Sequence, residues 1–294
     1  MKQGKLKIFF GYCAGVGKTY AMLEAAHERR REGMDVVIGY IEKHDRLDTI
    51  ALMQGLECIA LKAIMYHGIT LEEFDLDQAL QRHPQLILVD ELAHTNVQGA
   101  RHPKRYSDIQ ELLHAGIDVY TTVNVQHLES LQDVVAGITR VQVQERIPDA
   151  VFDEADQVEL VDLEPRELLE RLRNGALAEK EGEQTPETAY FAVASLTALR
   201  EVALRRCADR INILTRGDGA AHGDEHVLVC LSASPSNAKI VRTAARMANA
   251  FRGAFTALFV KTPDLAYMDQ EDRKRLQSHM RLAEQLGARI EILY

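Results

Sequence analysis

The stretch Gly11-Tyr12-Cys13-Ala14-Gly15-Val16-Gly17-Lys18-Thr19 ends in Gly-Lys-Thr and lies between a short apolar run and a helical pattern. A strand, a glycine loop and then a helix is the context in which the phosphate-loop pattern G-x-x-x-x-G-K-[ST] carries meaning. Gly15 and Gly17 let the backbone turn tightly enough to aim successive N–H groups at phosphate oxygens. The start of the next helix adds a favourable dipole. Lys18 would bring a cation to the β- and γ-phosphates, and the Thr19 hydroxyl would face Mg²⁺. One residue departs from the pattern: its first glycine belongs at position 12, where Tyr12 stands, and Gly11 comes one place early. The chemistry implied is binding of ATP with Mg²⁺ by Ala14, Gly15, Val16, Gly17, Lys18 and Thr19.

A second element supports this. Leu86-Ile87-Leu88-Val89-Asp90-Glu91 is an apolar strand ending in two carboxylates. A phosphate-loop site needs an Asp at such a strand end for Mg²⁺, which assigns Asp90 to the metal beside Thr19. Glu91 could act as a base that orients an attacking water, or only support the residues around the metal. A further strand ends in Thr121-Thr122-Val123-Asn124, and ligands of open parallel sheets sit beyond the carboxyl ends of strands. Asn124 could therefore meet the nucleotide, or it could cap the next helix. His94-Thr95-Asn96 is open to the same two readings, as a nucleotide-responsive switch or as loop structure. Cys13 lies inside the loop, where a helix N-terminus can lower a thiol pKa, but an inert small residue is expected.

The elements that would hold these residues alternate. Strands are expected over 5–11, 36–41, 58–61, 86–89 and 118–123. Helices are expected over 19–31, 49–55, 71–81, 106–114 and 126–135. Such alternation, with strands apolar throughout, implies a parallel sheet with helices on both faces, an α/β fold of the P-loop NTPase kind. After Pro148 the pattern loosens into a strand over 157–163, a helix over 165–173 that has proline in its first turn, a polar stretch over 178–187 and a long helix over 188–210. A loop over 216–225 comes next. Beyond it lie a strand, helix, strand, helix and strand over 226–231, 236–251, 254–260, 269–286 and 289–293. The expected division is a nucleotide-binding unit over 1–216, a linker over 217–225 and a smaller α/β unit over 226–294.

Composition narrows the function classes. The chain has 294 residues and a net charge of −9. Between Glu145 and Glu187 there are 14 acidic and 5 basic residues, so the rest of the chain is balanced. No broad basic field exists for nucleic acid. The short cluster Arg101-His102-Pro103-Lys104-Arg105 reads as a solvated loop entering a helix. No apolar run approaches the roughly 18 residues of a membrane span. The chain enters a strand pattern directly after its first residues, so no signal peptide is expected. The four cysteines are scattered, which fits a reducing cytosol better than a zinc or disulfide framework.

Several longer segments resemble one family. GYCAGVGKTYAM, LILVDELAHTN, RHPKRYSDIQELL, AGIDVYTTVNVQHLESL and ALRRCADR are similar to the N-terminal cytoplasmic domain of the KdpD potassium-sensor histidine kinases. The likeness runs over about residues 4–212, and 226–294 resembles the start of the universal-stress-protein domain that comes next in that family. The resemblance implies a cytosolic region of an inner-membrane sensor. Such a region binds ATP and tunes a kinase that controls potassium-uptake genes, with the membrane and kinase parts of the sensor as its partners.

The kinase core itself is not present. His27-Glu28 lacks the setting of a phosphoacceptor histidine, and the sequence has no glycine-rich histidine-kinase lid. The universal-stress unit stops after its third strand, so self-association or a contact with the first unit is expected through it. Two other readings stay open: a stand-alone P-loop nucleoside or cofactor kinase, and an interaction domain with a vestigial phosphate loop.

Overall fold

A computed structural model of the chain describes residues 3–42, 47–66, 68–174, 190–214, 225–251, 253–261 and 268–293. The main body is a six-stranded sheet. Its strands, in chain order, are β1 (Leu6–Gly11), β2 (Val36–Tyr40), β3 (Glu57–Cys58), β6 (Leu86–Val89), β7 (Asp118–Asn124) and β8 (Gln157–Leu160). They lie side by side in the order β3-β2-β6-β7-β1-β8, every neighbouring pair parallel. β4 (Lys62–Tyr66) and β5 (Ile69–Glu73) form a separate antiparallel hairpin.

Alternate strand residues feed two apolar layers, because successive side chains point to opposite faces. Phe9, Leu86 and Leu88 pack with Met22, Leu23 and Ala26 of α1 (Lys18–Arg31), and α2 (Leu47–Met53) closes the same side. Ile8, Phe10, Ile87 and Val89 face the other way. There they meet α3 (Leu76–Arg82), α4 (Arg105–His114), α5 (Gln132–Thr139), α6 (Asp149–Asp153), α7 (Pro165–Asn174) and α8 (Val193–Leu214). Helices therefore cover both faces, as strands this deeply buried require. Arg206 and Arg210 of α8 are buried against this layer, Arg206 paired with Asp153 and Arg210 bonded to the carbonyls of Phe152 and Ala155.

Two local expectations fail. Residues 71–81 are not one helix: Leu71 belongs to the hairpin, and α3 begins at Leu76, capped by the Asp75 carboxylate accepting from Gln78 N at 3.0 Å. Residues 126–135 do not start as an α-helix either. Two 3₁₀ turns, Val125–His127 and Glu129–Leu131, come first. The polar stretch 178–187 and nearly all of the expected linker 217–225 lie outside the described residues.

A second sheet has three parallel strands in the order β11-β10-β9, made of β9 (His226–Cys230), β10 (Ala254–Val260) and β11 (Arg289–Leu293). Helices α9 (Asn237–Phe251) and α10 (Gln270–Gln285) pack on each other. They also pack with Val229, Phe255, Ala257 and Phe259. The opposite face keeps Leu228, Val260 and Leu293 exposed, and parallel register puts them on one side. Among the described residues, two helices on one face leave the other uncovered, as expected from their number. A contact with the first body is present, but it runs through α9 and not through the bare sheet face. Arg242 of α9 binds the Asp133 carboxylate at 2.7 Å, and Arg246 donates to the Ser130 carbonyl at 2.6 Å.

Candidate nucleotide site

The carboxyl ends of β6, β7 and β1 are neighbours in the sheet, so the turns beyond them share one cleft. Gly15 and Gly17 have φ of 92° and 105°, left-handed values that glycine adopts freely. The misplaced glycine has a steric reason. A Cβ on Gly11 would stand 2.7 Å from Val16 Cγ2 and 3.2 Å from Lys18 Cδ, so the loop folds down onto a bare backbone there. Tyr12, where the pattern wants glycine, turns its ring into the core, and its hydroxyl donates to the Leu163 carbonyl at 2.8 Å. The departure from the pattern thus leaves the cradle intact. Val16 is buried and can offer a phosphate only its main chain.

Lys18 Nζ donates to the Cys13 carbonyl at 3.0 Å, holding its charge across the loop. Thr19 Oγ1 donates to Asp90 Oδ2 at 3.1 Å. The other oxygen of Asp90 accepts from the Thr122 hydroxyl and, at 3.0 Å, from Glu91 N. Asp90 is buried, so its position is set before any ligand arrives. Among the described residues no group of three His, Cys, Asp or Glu side chains is arranged to hold a metal alone. Thr19 and Asp90 are hard oxygen donors of the sort Mg²⁺ takes, and Mg²⁺ commonly completes its shell with waters and phosphate oxygens.

Glu91 sits at φ 59°, a left-handed conformation uncommon for a residue with a side chain. Burial, then the neighbouring Asp90 charge, pushes its carboxyl up to about 7. A carboxyl near neutrality can accept and return a proton at working pH. Asn124 ends β7 beside Gly11, and its side-chain oxygen is buried with no hydrogen-bond partner. His127 Nδ1 bonds the Glu145 carbonyl at 2.8 Å, and burial lowers its pKa, which favours the neutral ring. Cys13 is fully buried, and burial raises its thiol pKa, in keeping with an inert residue.

Ala14, Gly15, Gly17, Lys18, Thr19, Asp90, Glu91 and Asn124 all line one open cavity. His94, placed there too, is tied to Glu73 Oε1 at 2.9 Å. The apolar wall is made by Leu172 of α7 and by Phe191, which sequence reasoning did not single out. Arg171 also reaches the loop: its Nη1 lies 3.8 Å from where a Cβ on Gly17 would stand. Nothing in local spacing could have found these residues, because they come more than 150 positions after the loop and carry no motif of their own.

Known proteins match the chain over most of its length. Residues 2–211 match the family described as KdpD, osmosensitive K⁺ channel His kinase sensor domain. The chain is 52% identical to the sensor protein KdpD of Clostridium acetobutylicum over 98% of its own length and 33% of that protein's. It is 49% identical to the sensor protein KdpD of Escherichia coli K12 over 97% of this chain and 33% of the relative. A putative sensor protein KdpD of Synechocystis is 45% identical, with 88% of this chain and 71% of that protein aligned. The chain spans about a third of the first two relatives. It belongs to the KdpD sensor-domain family.

Proposed function

We propose that this chain is the ATP-binding regulatory region of a KdpD-type two-component sensor, acting with Mg²⁺ at the cleft above β1, β6 and β7. The observation that carries the reading is the direct bond from Thr19 to Asp90 beside a left-handed glycine loop. It joins the two halves of a Mg-nucleotide site before ligand is present. The main chain of residues 14–19 cradles the phosphates, and Lys18 leaves the Cys13 carbonyl to meet them. Thr19 and Asp90 would hold Mg²⁺, which when bound neutralises phosphate charge. Asn124 gains a partner for its unpaired oxygen through a water or ligand hydroxyl. Glu91 takes a proton from water or from a hydroxyl at the far side of the phosphates, so slow hydrolysis is within the site's means.

In a longer chain such a module would bias attached membrane and kinase parts that control potassium-uptake genes, from the cytosolic side. No helix among the described residues is long and apolar enough to cross a membrane. Residues 226–294 fit this reading as the opening of a universal-stress-like unit.

Calorimetry with ATP and ADP, with and without Mg²⁺, tests the proposal. Mg-ATP should bind the wild-type chain. Lys18→Ala should weaken it by roughly 10- to 150-fold, the range for losing one charge-assisted hydrogen bond. No heat with wild type, or equal affinity in the variant, rejects the site. Rapid phosphoryl transfer to an added nucleoside would favour a stand-alone kinase instead.

A further inference from the structure

The basic cluster at 101–105 is not simply a solvated loop. Arg101 is exposed and paired with Asp77 and Glu111, but Arg105 is completely buried. Its Nη2 lies 3.0 Å from Glu73 Oε2, and its guanidinium carbon stacks 3.9 Å from the centre of the Tyr40 ring. Its Nη1 donates to the main-chain carbonyl of Asp90 at 3.2 Å. Burying such a charge is expensive unless every contact is good, yet Arg105 Nε has no acceptor. The arrangement therefore keeps Arg105 inside at a penalty, although an apolar side chain could fill the same space.

The contacts of Arg105 explain why. The Asp90 N–H donates to the Tyr40 carbonyl at 2.9 Å, and the Asp90 carbonyl accepts from Arg105. Tyr40 thus holds Asp90 twice, directly through its backbone and indirectly through the ring under Arg105. The Asp90 carbonyl belongs to the peptide that fixes φ of Glu91. With Leu92 N bonded to the Thr122 carbonyl at 3.0 Å, both peptides around Glu91 are clamped. The left-handed turn is an uncommon state that persists only where its surroundings impose it. Glu73 adds a link outward: its Oε1 also accepts from His94 Nε2 and from Val97 N at 3.0 Å, and it closes the β4–β5 hairpin.

We propose that Arg105 is a positioning residue of the nucleotide site. It clamps the Asp90 carbonyl so that the Asp90 carboxylate faces the metal position and Glu91 is held in its left-handed turn. The inference rests on the Mg-nucleotide reading above. Arg105 touches neither phosphate nor metal and acts through the peptide it holds.

The test separates clamping from mere packing. Arg105→Lys keeps a buried cation but cannot bridge Glu73, the Tyr40 ring and the Asp90 carbonyl together. Glu73→Gln keeps the acceptor for Val97 N and removes the charge that anchors Arg105. ATP affinity is measured by calorimetry with Mg²⁺ and in EDTA, alongside thermal unfolding. The factor by which Mg²⁺ strengthens ATP binding should fall about tenfold in Arg105→Lys and less in Glu73→Gln, with EDTA affinity near wild type. If both variants are destabilised but keep the wild-type Mg²⁺ factor, or lose affinity equally in both conditions, Arg105 is a packing residue and the proposal fails. Should the wild type itself show no Mg²⁺-dependent ATP binding, the nucleotide reading fails first, and the two failures are distinct. Arg105→Met with Glu73→Gln, which removes the buried pair without stranding a charge and keeps the acceptor for Val97 N, gives a control that must also lose the Mg²⁺ factor.

Discussion

Thr19 and Asp90, 71 positions apart, meet at 3.1 Å because β1 and β6 flank β7 in one parallel sheet, so the turns beyond their carboxyl ends share one cleft. The hydroxyl donates to a carboxylate whose other oxygen is taken by Thr122 and by Glu91 N. Mg²⁺ would replace the Thr19 bond with a shared cation, leaving the Thr122 side of Asp90 in place. Asp90→Asn should therefore reduce the Mg²⁺ dependence of ATP binding while affinity in EDTA stays near wild type. Equal losses in both conditions, or a variant that does not fold, would count against Asp90 as a metal ligand.

Glu91 gives a prediction in pH. Its carboxyl is raised to about 7, first by burial and then by Asp90. A raised acid holds its proton more tightly in the folded than in the unfolded chain, where roughly 4.3 applies. The stability it contributes is complete below the unfolded value and is lost as pH rises through about 7. Glu91→Gln should therefore be more stable than wild type at pH 8 by about 1 kcal/mol, a figure reduced for the partial exposure of the carboxyl. The gain should shrink toward zero near pH 4, about where the unfolded chain protonates too. Melting curves across that range check it, and a pH-independent difference would contradict the assignment.

Gly11 offers a steric test. A methyl there meets Val16 Cγ2 at 2.7 Å, closer than real carbon contacts allow. Gly11→Ala should lose about 1–3 kcal/mol of stability through overpacking and weaken ATP binding as the loop is lifted. Val16→Ala removes the colliding atom, so the double variant Gly11→Ala with Val16→Ala should regain most of the ATP affinity. If Gly11→Ala alone binds ATP normally, the early glycine is not what seats the loop.

Much of this site was legible in the residues. β6 is buried on both faces, so its apolar run is uninterrupted and Asp90 follows at its end, while β1 is apolar apart from Lys7 and β7 keeps Thr121 and Thr122 inside. The hairpin was not legible, because Met65 and Ile69 are exposed and no apolar alternation marks the pairing. Read as part of a helix, Leu71 concealed where Glu73 would go, and without Glu73 the buried charge of Arg105 had no visible partner. The wall made by Leu172 and Phe191 comes from tertiary packing of α7 and the turn that leads into α8, which spacing along the chain does not encode. The residues alone show the early first glycine as a departure from the pattern that the chemistry survives, and the positions of Val16 and Tyr12 show where each side chain goes.

The last prediction concerns how the two sheets are joined. Arg242 of α9 binds Asp133 through Nε at 2.7 Å and Nη2 at 3.1 Å, and Glu129 through Nη1 at 3.3 Å. Arg246 completes the contact on the Ser130 carbonyl, and the Ser130 hydroxyl donates to Asp149 at 2.7 Å. Arg242 is mostly buried, so its removal would leave two carboxylates facing each other in a poorly solvated seam. Truncating one side of such a pair costs about 3–5 kcal/mol when fully buried and less at this partly open seam. The hydrogen bonds from Arg242 hold the Asp133 carboxyl below its ordinary range. Its contribution is therefore present above the unfolded value, roughly 3.9, and is lost as pH falls below it. Arg242→Ala should release α9, so that amide exchange across 237–251 quickens at pH 7 while the amides of β1, β6 and β7 keep their protection. In the wild type, protection of 237–251 relative to the intrinsic exchange rate at the same pH should likewise fall on acidification below about pH 4. Unchanged exchange over 237–251 in the variant would show that apolar packing alone seats α9, and that Arg242 decorates the contact without holding it.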